Sequence, residues 1–275
     1  MSTAMTKPPT HRTAPRAGAT ATTTAAGRMR SLARAELTLL VRSKGTLFAA
    51  AVVPLILPFS IRSATDSMDL EGTGLSLGTI LLPASVGFSL LFAVYIALTT
   101  IYVTRREELV LKRLRVGELR DTEILAGAAL PSLCIAVAQI VLLVTGCMII
   151  LDVGPPKAPH LAVAGVVLGL ALSASLAAVT AAFSRSAESA QVTSMPVVLV
   201  SMLASGITVP LEVLPDRLAQ ICEMLPLTGV ISLVRGGWTG TMSGADTLAA
   251  LATAVAWTLL AVFAVRRWFR WEPRH

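Results

Sequence analysis

The densest group of ionisable side chains lies in residues 104–127, TRREELVLKRLRVGELRDTEILAG. Arg105, Arg106, Lys112, Arg113, Arg115 and Arg120 alternate there with Leu109, Leu111, Leu114 and Leu119. A leucine stripe set among charges predicts an amphipathic surface helix that docks onto a partner protein. A loop that only enforced topology would need the charges but not the leucines. Catalytic chemistry has no comparable group. None of the lysines (Lys7, Lys44, Lys112, Lys157) sits in a G-x-x-x-x-G-K-[ST] pattern, so the chain builds no P-loop of its own. H-E-x-x-H and G-x-S-x-G are missing, and His11, His160 and His275 lie in tails or loops. Cys134, Cys147 and Cys222 have neither metal-ligand spacing nor that of a disulfide framework.

The elements that must position this stretch are two apolar runs, 77–103 and 124–151. Each is long enough to cross a hydrocarbon core of ~30 Å as a helix. Composition agrees: 54% of the 275 residues are hydrophobic and 14% charged, with mean hydropathy +0.73. That profile is wrong for a soluble globular protein and fits a polytopic membrane protein. The net charge of +7 does not point to nucleic acid, because the basic residues cluster between apolar runs.

The predicted fold is an all-α integral membrane protein with six transmembrane helices. Residues 1–27, rich in Thr, Ala and Pro, form a disordered tail. Residues 28–44 form an interfacial amphipathic helix, its basic face toward lipid phosphates. The transmembrane domain covers 45–265, with spans at about 46–61, 77–103, 124–151, 161–183, 192–211 and 247–265. Pro54 and Pro58 kink or tilt the first span, and Pro83 and Gly87 mark irregular points in the second. Gly165 and Gly169 form a small-xxx-small pair for close helix contact. Residues 184–191 read as a polar turn. The tail 266–275 carries Trp268, Phe269 and Trp271 as interface anchors.

Six spans put both termini on one side of the membrane. Of the 23 lysines and arginines, only Arg62, Lys157, Arg217 and Arg235 fall on the other side. By the positive-inside rule, both termini and the 104–123 stretch are cytoplasmic. The spans hold almost no ionisable residue; Arg62 and Glu123 sit at span ends. Ion-coupled transport usually needs an intramembrane carboxylate, so energy for any transport must come from a partner. Gln139 is the main strongly polar side chain deep in a span. It serves either a helix–helix hydrogen bond or a polar contact in the pathway.

Two regions resemble the membrane (permease) subunit of an ABC-2 type (type V) ABC transporter. The family's loop after the second span reads roughly R-E-x-G-x-x-x-x-L-R-x-x-P-L, then a Gly early in the third span. Arg106, Glu107, Leu114, Arg115, Leu119 and Gly127 match it. Leu109 stands where the family often has Gly, and Glu118 where it often has Pro. The second region is Ser205-Gly206-Ile207-Thr208-Val209-Pro210-Leu211-Glu212-Val213-Leu214-Pro215, then Leu225-Pro226-Leu227-Thr228, then Leu233-Val234-Arg235-Gly236. It resembles the family's S-G-x-x-x-P-x-x-x-L-P, P-L-x-x and closing R-x-x-x-x-G-like pattern, with Gly229 in place of the more usual His or Tyr.

The resemblance implies a coupling helix seated in a groove of a P-loop ATPase, drawing on Arg106, Glu107, Glu108, Leu111, Leu114 and Arg115. It implies a re-entrant helical hairpin between helices five and six that closes the pathway outside, carried by Gly206, Pro210, Pro215, Pro226 and Arg235. Residues 218–225 can form about two helical turns, with Leu218, Ile221, Cys222 and Leu225 on one face. The family's working unit implies two ATPase subunits and a second copy of this chain or a similar permease. The chain would bind no cofactor; ATP and Mg would sit on the ATPase. The implied activity is exporter-like transport of an amphipathic drug, antibiotic, lipid or similar cargo across a bacterial plasma membrane. The rival reading is a non-transporting anchor or sensor that recruits a cytosolic partner.

Overall fold

The computed structural model describes residues 77–115, 120–150, 153–208, 211, 214–269 and 271, with the isolated positions 27, 34 and 38. The expected tail 1–27, most of the interfacial helix 28–44 and the first span 46–61 lie outside the described residues. Arg34 and Thr38 are helical, and Thr38 Oγ1 donates to the Arg34 carbonyl.

The described chain is helical. Helix α1 (Leu77–Phe88) runs through a π-helical segment (Ser89–Ile96) into α2 (Ala97–Glu107). A short α3 (Val110–Arg115) follows, then α4 (Asp121–Ile150), α5 (Pro159–Phe183) and α6 (Ala187–Ala204). The chain closes with α7 (Asp216–Glu223), α8 (Thr228–Thr239) and α9 (Gly244–Trp268). Among the described residues, five helical stretches are long and apolar enough to cross a membrane: Ile80–Glu107, Asp121–Ile149, Pro159–Phe183, Ala187–Ala204 and Gly244–Trp268. The pair α7 and α8, bent by 99°, would make a sixth if taken as one span.

The stretch Ile80–Glu107 is the hub. Over an apolar 18-residue part of it 83% is buried, against 22–39% for the same length of the other four. Those four pack one face on the hub or on each other. Their outer faces carry Val141, Leu142, Val163, Val167, Leu199 and Leu260 in the open, as lipid-facing helices do.

The π segment is where the hub departs from regular helix. The predicted irregular point, Gly87, lies two residues before it. A Cβ on Gly87 would meet Ile207 Cγ1 at 2.7 Å, so only glycine admits the chain that ends α6. Two hydroxyls add bonds to the last carbonyls of the π segment. Thr99 Oγ1 donates to Tyr95 O at 2.7 Å and Thr100 Oγ1 to Ile96 O at 3.2 Å.

Helix ends follow local signals. The fifth span differs most from expectation: α6 occupies 187–204, not 192–211. Ser186 and Ser189 form a capping box, so residues read as a polar turn are the first helical turns. At its other end, Gly206 at φ 72° turns the chain away. Ser243 caps α9, accepting from the Asp246 N–H, so the last span starts three residues earlier than predicted. Arg266 and Arg267 lie in its last turn, where they oppose the negative end of the helix dipole, and carry it past the predicted end at 265.

Candidate functional site

Two polar regions stand at opposite ends of the bundle. One end holds α3, the α5–α6 junction and the chain after α9. There Arg106 reaches Ser184, and the Arg115 guanidinium lies 5.0 Å from the centre of the Trp271 ring. The other end holds α7, α8 and the α4–α5 connection, joined where Trp238 Nε1 donates to Gly154 O and Ala158 N–H to Gly237 O.

The first end is a corner. Helix α2 stops at Glu107, Leu109 takes the left-handed conformation at φ 59°, and α3 leaves in a new direction. The Leu109 N–H bonds to Arg106 O, and the Arg113 N–H to Leu109 O. Position 109 is where the family pattern often carries glycine, and the positive φ is the physical reason for glycine there. The predicted docking residues divide in two. Glu107, Glu108 and Arg115 are exposed and Leu114 is half-buried, all on the outside of the corner. Arg106 and Leu111 are not on that surface; they are 1% and 0% exposed. Leu111 is packed inside this chain, so it cannot fill a partner's pocket. Val116, Gly117, Glu118 and Leu119 lie outside the described residues. The Arg115–Asp121 ion pair, 3.2 Å between half-exposed side chains, fixes direction more than it stabilises.

Arg106 is held by α5. Its Nη1 donates to Ala181 O at 2.8 Å and its Nη2 to Ser184 O. Both carbonyls close the C-terminal end of α5, where helix carbonyls lack intrahelical donors. Arg106 extends the buried face formed by Leu98, Thr99, Tyr102 and Val103, one helical turn further on. That periodicity was the available signal for its burial; charge alone had assigned it outward.

The second end is the bent pair. Pro215 precedes α7 and accepts from the Leu218 N–H, and Pro226 lies in the turn that separates α7 from α8. Thr228 Oγ1 donates to Cys222 O at 2.6 Å, and Trp257 Nε1 of α9 donates to Met224 O at 2.8 Å. Arg235 Nη2 donates to Gly206 O at 2.9 Å, so α8 holds the turn that ends α6. Gly206 and Arg235, far apart in sequence, are thus in contact; Pro210 lies outside the described residues. Of the apolar face expected on 218–225, Leu218 and Ile221 are exposed while Cys222 is buried.

Between the two ends lies a buried polar contact that sequence reading missed. Tyr95 OH and Thr180 Oγ1 are 2.9 Å apart, joining the hub to α5. A tyrosine in an apolar span needs a partner for its hydroxyl, and that was the signal. Gln139 is elsewhere, 3% exposed in α4 and enclosed by helix packing. Among the described residues, no group of three or more His, Cys, Asp or Glu is placed to hold a metal ion.

A family model described as "ABC-2 type transporter" matches residues 28–238, which include the α2–α3 corner and the bent pair α7–α8. No curated protein matches the chain.

Proposed function

Because the chain belongs to the ABC-2 type transporter family and is a multi-pass membrane protein, we propose that it is the permease subunit of an ATP-driven exporter. It couples at the α2–α3 corner to a separate P-loop ATPase. Two ATPase copies carry ATP and Mg, and a second copy of this chain or a similar permease completes the pathway. The cargo is amphipathic: a drug, antibiotic, lipid or similar molecule. The corner and both termini face the cytoplasm of a bacterial cell, and the bent pair α7–α8 is a re-entrant hairpin that closes the pathway outside.

The observation that carries this reading is the construction of the corner. Glu107, Glu108, Lys112, Arg113 and Arg115 stand exposed around Leu114, on a base packed by buried Leu111. A charged rim around an apolar contact on a rigid base is what a transient docking surface requires.

The test is an affinity pull-down from solubilised membranes, comparing wild type with Glu107→Ala/Leu114→Asp. Leu111 stays intact, since an aspartate at that buried position would disrupt the bundle itself. Recovery of a P-loop ATPase with wild type and its loss with the variant is the expected result. No ATPase with wild type under gentle extraction would overturn the reading and leave the anchor or sensor role. Retention by the variant would move docking away from the corner.

A further inference from the structure

We propose that Arg106 is a latch that fixes the docking corner to α5, so that movement of α3 passes into α5 and on to the hairpin helix α8. Arg106 is then a positioning residue rather than a contact for the ATPase. The inference rests on the docking role of the corner given above.

Arg106 stands in the last turn of α2, next to exposed Glu107 and three residues before left-handed Leu109. A displacement of α3 therefore reaches it almost directly. Arg106 is 1% exposed, and its guanidinium holds two carbonyls at the end of another helix, Ala181 O and Ser184 O. A regular helix would satisfy Ala181 O with the N–H of residue 185. Here the Arg185 N–H is bonded to Ser189 Oγ instead, at 3.0 Å. The arginine thus supplies the donor that the end of α5 lacks, and its positive charge meets the negative end of the helix dipole. A planar fork with two donors sets orientation as well as distance, which a lysine cannot do.

Beyond the latch, α5 has little slack against its neighbours. A Cβ on Gly165 would lie 2.9 Å from Val234 Cγ2 and 3.0 Å from Val230 O. A Cβ on Gly237 would lie 2.5 Å from Ala162 N. These contacts bring the backbones of α5 and α8 together, and the Ala158 N–H to Gly237 O bond at 2.9 Å ties their ends. Close-packed elements pass on a shift instead of absorbing it. The Arg235 bond to Gly206 O carries the line to the turn that ends α6.

The test pairs two measurements. First, spin labels are placed at positions 108 and 185, both exposed, in a chain whose three cysteines are replaced by serine. Their distance distribution is read in nanodiscs by pulsed electron resonance. With Arg106 present it should be single and narrow; Arg106→Gln should broaden it, and Arg106→Lys should give an intermediate width. Second, unlabelled Arg106→Gln is co-purified with the ATPase and reconstituted, and efflux of an amphipathic fluorescent dye per ATP hydrolysed is compared with wild type. ATPase recovery should persist while dye efflux per ATP falls about 2- to 30-fold, the range for mutations along a coupling route. If Arg106→Gln is not monodisperse, Arg106→Met removes the donors without leaving a polar group, and the same results are expected. An unchanged label distribution overturns the latch, as does dye efflux per ATP that stays at the wild-type value. If wild type recovers no ATPase, the docking reading fails, and the label measurement, which needs no ATPase, still decides the latch.

Discussion

Leu109 offers a test of the corner in which the usual order of two residues reverses. In ordinary helix Ala is preferred to Gly, by ~1 kcal/mol. At position 109 the backbone sits at φ 59°, where a Cβ crowds the following carbonyl. That crowding costs about 1–2 kcal/mol for any residue but glycine. Glycine brings its own cost, roughly 0.5–1 kcal/mol, from greater freedom in the unfolded chain. Leu109→Gly should therefore be more stable than Leu109→Ala by ~0.75 kcal/mol, the difference between the middle values of these two effects. Both truncations lose the same leucine contacts, already limited because Leu109 is 39% exposed, so their difference isolates the Cβ. The control is Gly146→Ala in α4, where a new Cβ meets nothing within 4 Å and Ala should win. The assay is equilibrium unfolding in mixed micelles of mild detergent and dodecyl sulfate. If Ala equals or exceeds Gly at position 109, the left-handed break between α2 and α3 is wrong, and the corner with it.

Other outcomes follow from particular contacts. Gly237→Ala should destabilise by about 1–3 kcal/mol in the same assay, because its Cβ would strike the backbone of Ala162 and not a flexible side chain. Tyr95→Phe and Thr180→Val should each be destabilising, with a coupling of ~0.6 kcal/mol in a double-mutant cycle, the average for hydrogen bonds between membrane helices. Arg235→Met removes a charged donor from Gly206 O, worth about 1.5–3 kcal/mol, so amide hydrogen exchange across residues 205–208 should quicken about tenfold or more.

The architecture was legible where apolar runs are long: the stretches predicted at 77–103, 124–151, 161–183 and 247–265 all contain the expected helices. Boundaries were less so, because Ser186 and Ser189 make a helix start out of residues whose composition resembles a turn. Gly87 was legible as an irregular point near the π segment, but its close contact with Ile207 is tertiary and no local pattern reveals it. At the corner, residues were sorted by charge instead of by helical phase. Phase carries Arg106 inward behind Tyr102 and Val103, and Leu111 into the packing of the bundle. The Arg235 contact with Gly206 was not legible, because it depends on how α8 crosses the end of α6.

The central claim is that the outside of the corner, and not its base, receives the ATPase. Photo-crosslinking from benzoylphenylalanine at position 114 or at position 203 in cells tests it most directly. Leu114 is half-buried at the corner, while Leu203 is 62% exposed near the far end of α6. The account predicts an adduct with a P-loop ATPase, identified by its G-x-x-x-x-G-K-[ST] peptide, from position 114 and none from position 203. An ATPase adduct from position 203, or none from position 114 in a chain that still reaches the membrane, would contradict it.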